Sequence, residues 1–160
     1  MRYEVKNLID AAKDGDVNVI AHQANCFCAM KSGIAPQIVK AFPETKIADD
    51  QTVTGDSMKL GTISLAQHLL PSMEYLTIFN LYGQFSMGTD KIHTNYDAIT
   101  KALYEMRGWL THYDRLGLPK IGCGLAGGNW AIVSEIIEDV LDDVDVTIYV
   151  LDESEIPEVL

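Results

Sequence analysis

Lys120-Ile121-Gly122-Cys123-Gly124-Leu125-Ala126-Gly127-Gly128-Asn129-Trp130 joins a short apolar run to a segment of helical periodicity through four glycines. Glycine has no Cβ, so such a stretch can turn its backbone N–H groups inward and approach a bound group closely. A helix opening at Trp130 adds unpaired amides and the positive end of its dipole. Strand, glycine loop and helix start, in that order, make a natural phosphate cradle and suggest an α/β chain around it.

The flanking sequence alternates in the same way. Upstream, Leu118 to Ile121 is strand-like, and a long helix is predicted from Tyr96 to Tyr113, where Ile99, Leu103, Met106, Leu110 and Tyr113 keep helical spacing and Thr94 or Asn95 supplies a cap. Downstream, Trp130 to Leu141 reads as a helix and Val144 to Leu151 as a β-branched strand. Towards the N-terminus, strands are expected at Arg2 to Val5, Val17 to Ala24, Leu60 to Gln67 and Tyr75 to Asn80. A helix is expected from Gly33 to Phe42, with Pro36 in its first turn and Pro43 as its stop. Strands alternating with helices predict helices on both faces of a mixed, mainly parallel sheet.

A chain of 160 residues, nearly half of them apolar, is most simply one domain with a real core. No apolar run approaches transmembrane length, and the first residues lack the basic segment and apolar core of a signal peptide. The expectation is a soluble, cytoplasmic protein. A formal net charge of −11 argues against an extended nucleic-acid surface and against anionic membrane. A phosphate ligand therefore has to be held by local amides. Three cysteines, Cys26, Cys28 and Cys123, make no disulfide framework. With His22 they carry zinc-ligand chemistry, but they lack paired CxxC spacing and read as small buried or loop thiols, so no metal and no cofactor is expected.

A second dense segment runs from Val19 to Ala35. A buried strand ends in polar His22, Gln23 and Asn25, and a loop leads to Ser32-Gly33-Ile34-Ala35, where a helix opens. Ligands of α/β sheets sit beyond the carboxyl ends of strands, so this loop and the Gly122 loop are expected on one rim. His22 has the titration range of a general base and also fits a histidine satisfied inside the sheet rim. Asn25 fits a ligand contact or a turn residue making a local Asx bond. Asp49 and Asp50 fit a base or a solvated face, and Lys31 a phosphate partner or a solvated loop residue.

Taken together, Tyr3 to Leu8, His22 to Ala35, Asn80-Leu81-Tyr82-Gly83-Gln84, Tyr96 to Ala98 and Pro119 to Trp130 resemble the macro domain family in order and spacing. Within it, the His22 strand end, Gly33-Ile34-Ala35 and Ile121 to Leu125 are most similar to the group containing the yeast-type ADP-ribose 1″-phosphate phosphatase and the terminal ADP-ribose protein glycohydrolase. The resemblance implies a three-layer α/β/α macro domain, here over 1–152; the tail over 153–160 is acidic and, as a chain terminus, is expected to be mobile. It implies ADP-ribose or an ADP-ribose derivative as ligand, with ADP-ribosylated macromolecules as a further class of partner.

By the same resemblance, Asn7 and Leu8 stand where relatives contact adenine, and Asn25, with Ala24 before it, lies near the distal ribose. Ser32, Gly33, Ile34 and Ala35 match one loop around the diphosphate and distal ribose. Gly122, Cys123, Gly124, Leu125, Ala126, Gly127, Gly128 and Asn129 match the other. Asn25 and His22 are the candidate catalytic residues. The glycohydrolase carries an aspartate after Gly-Cys-Gly-Leu, where this chain has Ala126, and a lysine that the Asn80 to Gly83 region lacks. The lysine-adduct route is thereby disfavoured. A phosphatase acting on ADP-ribose 1″-phosphate leads the expectations, beside a binding module without turnover and a glycohydrolase of noncovalent mechanism.

Overall fold

A computed structural model describes residues 1–158. In chain order the elements are β1 (Arg2–Val5), α1 (Leu8–Lys13), β2 (Val19–Asn25), α2 (Ala35–Ala41), α3 (Glu44–Asp50), β3 (Ile63–Leu69), β4 (Tyr75–Gln84), α4 (Tyr96–Arg107), β5 (Arg115–Leu118), α5 (Trp130–Val140) and β6 (Asp145–Val150). The six strands form one sheet in the order β1-β6-β5-β2-β4-β3. Every pairing is parallel except that of β3 with β4. The hairpin between β3 and β4 turns at Leu70–Glu74, at the amino-terminal end of β4.

Alternate residues of each strand point to opposite faces, which divides the core into two layers. Val19 and Ala21 of β2, Phe79 and Leu81 of β4 and Leu116 and Leu118 of β5 pack under α4 and α5. Ile20 and Ile78 face the other way, onto Leu8, Ile9, Ala11 and Ala12 of α1 and Ile38 and Phe42 at α2. The result is a three-layer α/β/α architecture around a mixed, mainly parallel sheet.

Several boundaries differ from the sequence expectation, each for a local reason. The helix expected from Gly33 starts at Ala35, because Gly33 takes a φ of +65°, outside helical space. The long helix expected to reach Tyr113 stops at Arg107 with Gly108 as its cap, leaving Trp109 and Tyr113 exposed. The strand expected at Leu118 to Ile121 lies earlier, at Arg115–Leu118, and ends before Pro119, which has no N–H for a ladder. Two short helices escape a periodicity search. One is α1, capped by the Asn7 side chain. The other is α3, for which Pro43 is the N-cap as well as the stop of α2.

The C-terminal tail begins folded. Glu153–Glu155 form a 3-10 turn closed by a capping box between Asp152 and Glu155. Val159 and Leu160, the end of that segment, lie outside the described residues. Among the described residues no helix is long and apolar enough to cross a membrane.

Candidate functional site

β5 and β2 are neighbours in the sheet, yet their following helices cover opposite faces: β2 leads to α2, and β5 leads to α5. Loops that diverge from adjacent parallel strands leave a crevice at the carboxyl edge. A cavity of about 470 Å³ opens there. Its walls come from the end of β2 (His22 to Asn25), the following loop (Ala29, Met30 and Ser32 to Ala35), the end of β4 and its loop (Gln84 and Met87 to Thr89), and the segment after β5 (Pro119 to Gly122 and Gly124 to Ala126).

The two loops singled out in the sequence therefore share one cavity. Of the candidate residues, His22, Ala24, Asn25, Ser32, Gly33, Ile34, Ala35, Gly122, Gly124, Leu125 and Ala126 line it. Asn7, Leu8, Cys123, Gly127, Gly128 and Asn129 lie outside its walls. The reasons are local. Leu8 is buried in the core under β5. The Asn7 Oδ1 accepts from the Ile9 and Asp10 amides at 2.8 and 3.4 Å and caps α1. Cys123 N–H donates to Lys120 O, Gly127 N–H to Gly124 O and Gly128 N–H to Gly122 O, so these amides close the loop on itself. Asn129 caps α5 by accepting from the Ala131 amide, and its own N–H donates to Tyr96 Oη. The first turn of α5, expected to supply free amides, is thus set back from the cavity.

What remains at the walls is a set of backbone donors. Among the described residues, the amides of Ser32, Gly33, Ile34 and Ala35, and those of Gly122, Gly124, Leu125 and Ala126, donate to no protein acceptor. Gly122 is required at its position. Its φ is +71°, and a Cβ there would lie 2.7 Å from Gln23 Oε1 and 2.9 Å from Thr94 Oγ1.

Side chains rivet the walls to one another. Gln23 Nε2 donates to Gln84 Oε1 at 2.9 Å and to Thr94 Oγ1 at 3.0 Å. The Thr94 hydroxyl donates to Gly122 O at 2.6 Å. One chain of bonds therefore joins the ends of β2 and β4 to the glycine loop. The carbonyl of Ala126 accepts from the His93 and Thr94 amides, which ties the segment after β4 to the same loop.

The two candidate catalytic side chains are held by their surroundings. Asn25 Nδ2 donates to Ala29 O at 2.7 Å, while its Oδ1 accepts from the Phe27 amide at 2.9 Å and the Ala29 amide at 3.4 Å. This is the local Asx arrangement, and it sets the loop's course. His22 is 1% exposed. Asn80 Nδ2 donates to Thr45 O and Ser64 Oγ, which fixes Asn80 Oδ1 towards His22. His22 Nε2–H then donates to Asn80 Oδ1 at 2.6 Å, leaving the Nδ1 lone pair buried without a partner. Burial pulls the imidazole below its ordinary 6.5, opposed by the Asn80 bond and the Asp49 charge. His22 is therefore a neutral acceptor at neutral pH.

Asp49 is inside the protein and away from the cavity. It is 1% exposed, and its Oδ1 accepts from Tyr82 Oη at 2.7 Å. Cys28, Asp49 and Asp50 bring three metal-ligating groups together. Lysine ammonium groups already occupy that corner: Lys46 bonds Cys28 O and Asp50, and Lys59 lies 3.6 Å from Cys28 Sγ. Burial pushes the Cys123 thiol up to about 11, against the field of Lys120, so it is protonated at neutral pH.

Of the wall from Gln84 to Thr89 the sequence brings forward Gln84 alone, within the Asn80 to Gln84 match, and gives no role to Met87, Gly88 and Thr89. A polar Asn80 read as the end of β4. Asn80 is in fact buried and fully bonded, and the strand continues to Gln84. Lys120 also lies on the wall, and nothing in the sequence marks it.

No family model matches the chain. It is 34% identical over 133 residues to the uncharacterized 17.5 kDa protein of the tk-vs intergenic region of Enterobacteria phage T4, covering 81% of this chain and 83% of that one. It is similar in structure to a macrodomain protein from Streptomyces coelicolor, with a TM-score of 0.72, 26% identity, and coverage of 93% of this chain and 97% of that one. It also shares its fold with Thermosipho africanus DarTG in complex with ADP-ribose, at a TM-score of 0.64 and 19% identity, covering 91% of this chain and 41% of that one.

Proposed function

We propose that this chain, related in sequence to the phage T4 protein and similar in structure to the Streptomyces macrodomain, is a macro domain whose cavity binds ADP-ribose and its phosphorylated derivatives, and that it hydrolyses ADP-ribose 1″-phosphate. One observation carries this reading. Two loops bring amides without protein acceptors to a cavity whose walls contain no aspartate or glutamate. Such a cavity suits an anion, and in a chain of net charge −11 it is the local exception.

In this reading the amides of Ser32–Ala35 and of Gly122, Gly124, Leu125 and Ala126 hold the diphosphate and the distal ribose with its phosphate. At the adenine end, Asn7 would donate through its free Nδ2, since Oδ1 is committed to α1. Water attacks the phosphorus of the 1″-phosphate, the bond to the bridging oxygen breaks, inorganic phosphate leaves, and the bridging oxygen takes a proton. Preorganised amides aimed at charge developing on the phosphoryl oxygens would supply the main stabilisation. His22, neutral, with an unpartnered Nδ1 and on the cavity wall, is the base this reading assigns. No metal or organic cofactor enters this scheme.

A second reading, binding without turnover, is favoured by Asn25. Its carbonyl and one amide hydrogen are spent on the loop, and Ala126 brings no carboxylate. Calorimetry with ADP-ribose, together with phosphate release from ADP-ribose 1″-phosphate, separates the two. Binding with phosphate release supports the phosphatase. Binding without release of phosphate, or of ADP-ribose from modified protein or nucleic acid, leaves a binding module. No binding at millimolar ADP-ribose overturns both.

A further inference from the structure

Among the cavity walls one side chain carries a fixed positive charge, and it is Lys120. It follows Pro119 at the end of β5 and precedes the Gly122 turn. The neighbouring candidate, Lys31, is exposed and outside the walls. Arg2, Lys6, Lys46 and Arg107 are engaged in salt bridges, whereas Lys120 has none among the described residues. Its Nζ instead stands 5.7 Å from the ring centroid of Trp130, near the outer reach of a cation–π contact. The ring is pinned, because Trp130 Nε1–H donates to Tyr3 Oη at 3.0 Å. The field of Lys120 already reaches Cys123 inside the glycine loop. A half-buried lysine with a weak partner thus belongs to the same cavity wall as four amide donors without protein acceptors.

We propose that Lys120 reads the charge of the ligand: when a phosphate settles on the Gly122, Gly124, Leu125 and Ala126 amides, the ammonium leaves the face of Trp130 and pairs with a phosphate oxygen. The inference rests on the phosphate-ligand reading above and adds the residue that discriminates a phosphorylated ligand from a neutral nucleoside. An ammonium–phosphate contact is a charge-assisted bond, stronger than the ring contact it replaces.

The test uses the full chain with Trp109→Phe, which leaves Trp130 as the single indole of the two. ADP-ribose is expected to change Trp130 emission. Lys120→Met, which keeps the alkyl stem, is expected to bind ADP-ribose about tenfold more weakly, with a flatter salt dependence and no emission change. Lys120→Arg is expected to restore affinity and salt dependence, which a packing role would not require. Adenosine, without phosphate, is expected to be indifferent to the substitution. Unchanged affinity and salt dependence in Lys120→Met, or unchanged emission at saturating ADP-ribose, overturns the role of Lys120 alone. Absence of ADP-ribose binding in the unsubstituted chain overturns the ligand reading and this role with it.

Discussion

At the scale of single residues, the candidates on the cavity wall are held by hydrogen bonds within the protein. His22 is the clearest case. Its folded form resists protonation through burial, while the unfolded chain takes a proton below its ordinary 6.5. Its contribution to stability is therefore full above about pH 6.5 and falls as the pH drops below it, by up to about 1.4 kcal/mol per pH unit. His22→Gln is expected to flatten the acid limb of a plot of thermal midpoint against pH between pH 7 and 5. An unchanged limb would show that His22 does not titrate this way. Ala126 gives a second expectation. Ala126→Asp would set a carboxylate among the free amides, in a cavity whose walls have none. Affinity for ADP-ribose should fall by about tenfold or more, measured by calorimetry, because like charges meet at short range. Most wall residues of the two loops were legible, because glycine-rich turns after apolar strands announce themselves. Lys120 was not, since a lysine in a sequence carries no sign of whether a carboxylate meets its charge.

At the scale of elements, the glycine loop is held by geometry rather than by the helix after it. Gly122→Ala has to accept a left-handed φ and a close approach to Gln23 and Thr94. About 2 kcal/mol of destabilisation is expected, or roughly 4–8 °C in thermal midpoint, with weakened ADP-ribose binding. A midpoint within a degree of the parent would mean that the loop relaxes freely. The long elements, α4, α5 and the buried strands, were legible from apolar spacing. The short helices α1 and α3 were not, because six or seven residues hold under two turns and their starts are marked by Asn7 and Pro43 rather than by a stripe. The misjudged end of β4 had the most consequence. A buried asparagine looks like a boundary unless its partners on β2, β3 and α3 are known, and stopping there left Met87, Gly88 and Thr89 of the cavity wall without a role.

At the scale of the whole molecule, an acidic chain carries a carboxylate-free cavity at a point where its crossovers diverge. That arrangement favours a small anionic ligand taken up by local donors. Ligand at a hundred times its dissociation constant should stabilise the fold by about 2.7 kcal/mol, which a thermal-shift titration with ADP-ribose checks. The β3–β4 hairpin, turning at Leu70–Glu74 far from the carboxyl rim, has a different consequence. Severing the chain there would leave the Ser32–Ala35 amides on one polypeptide and the Gly122–Ala126 amides on the other, so neither fragment alone would hold the diphosphate. Recognition would then become a property of reassembly, and the nucleotide would serve as the glue by which two inert halves report each other's presence.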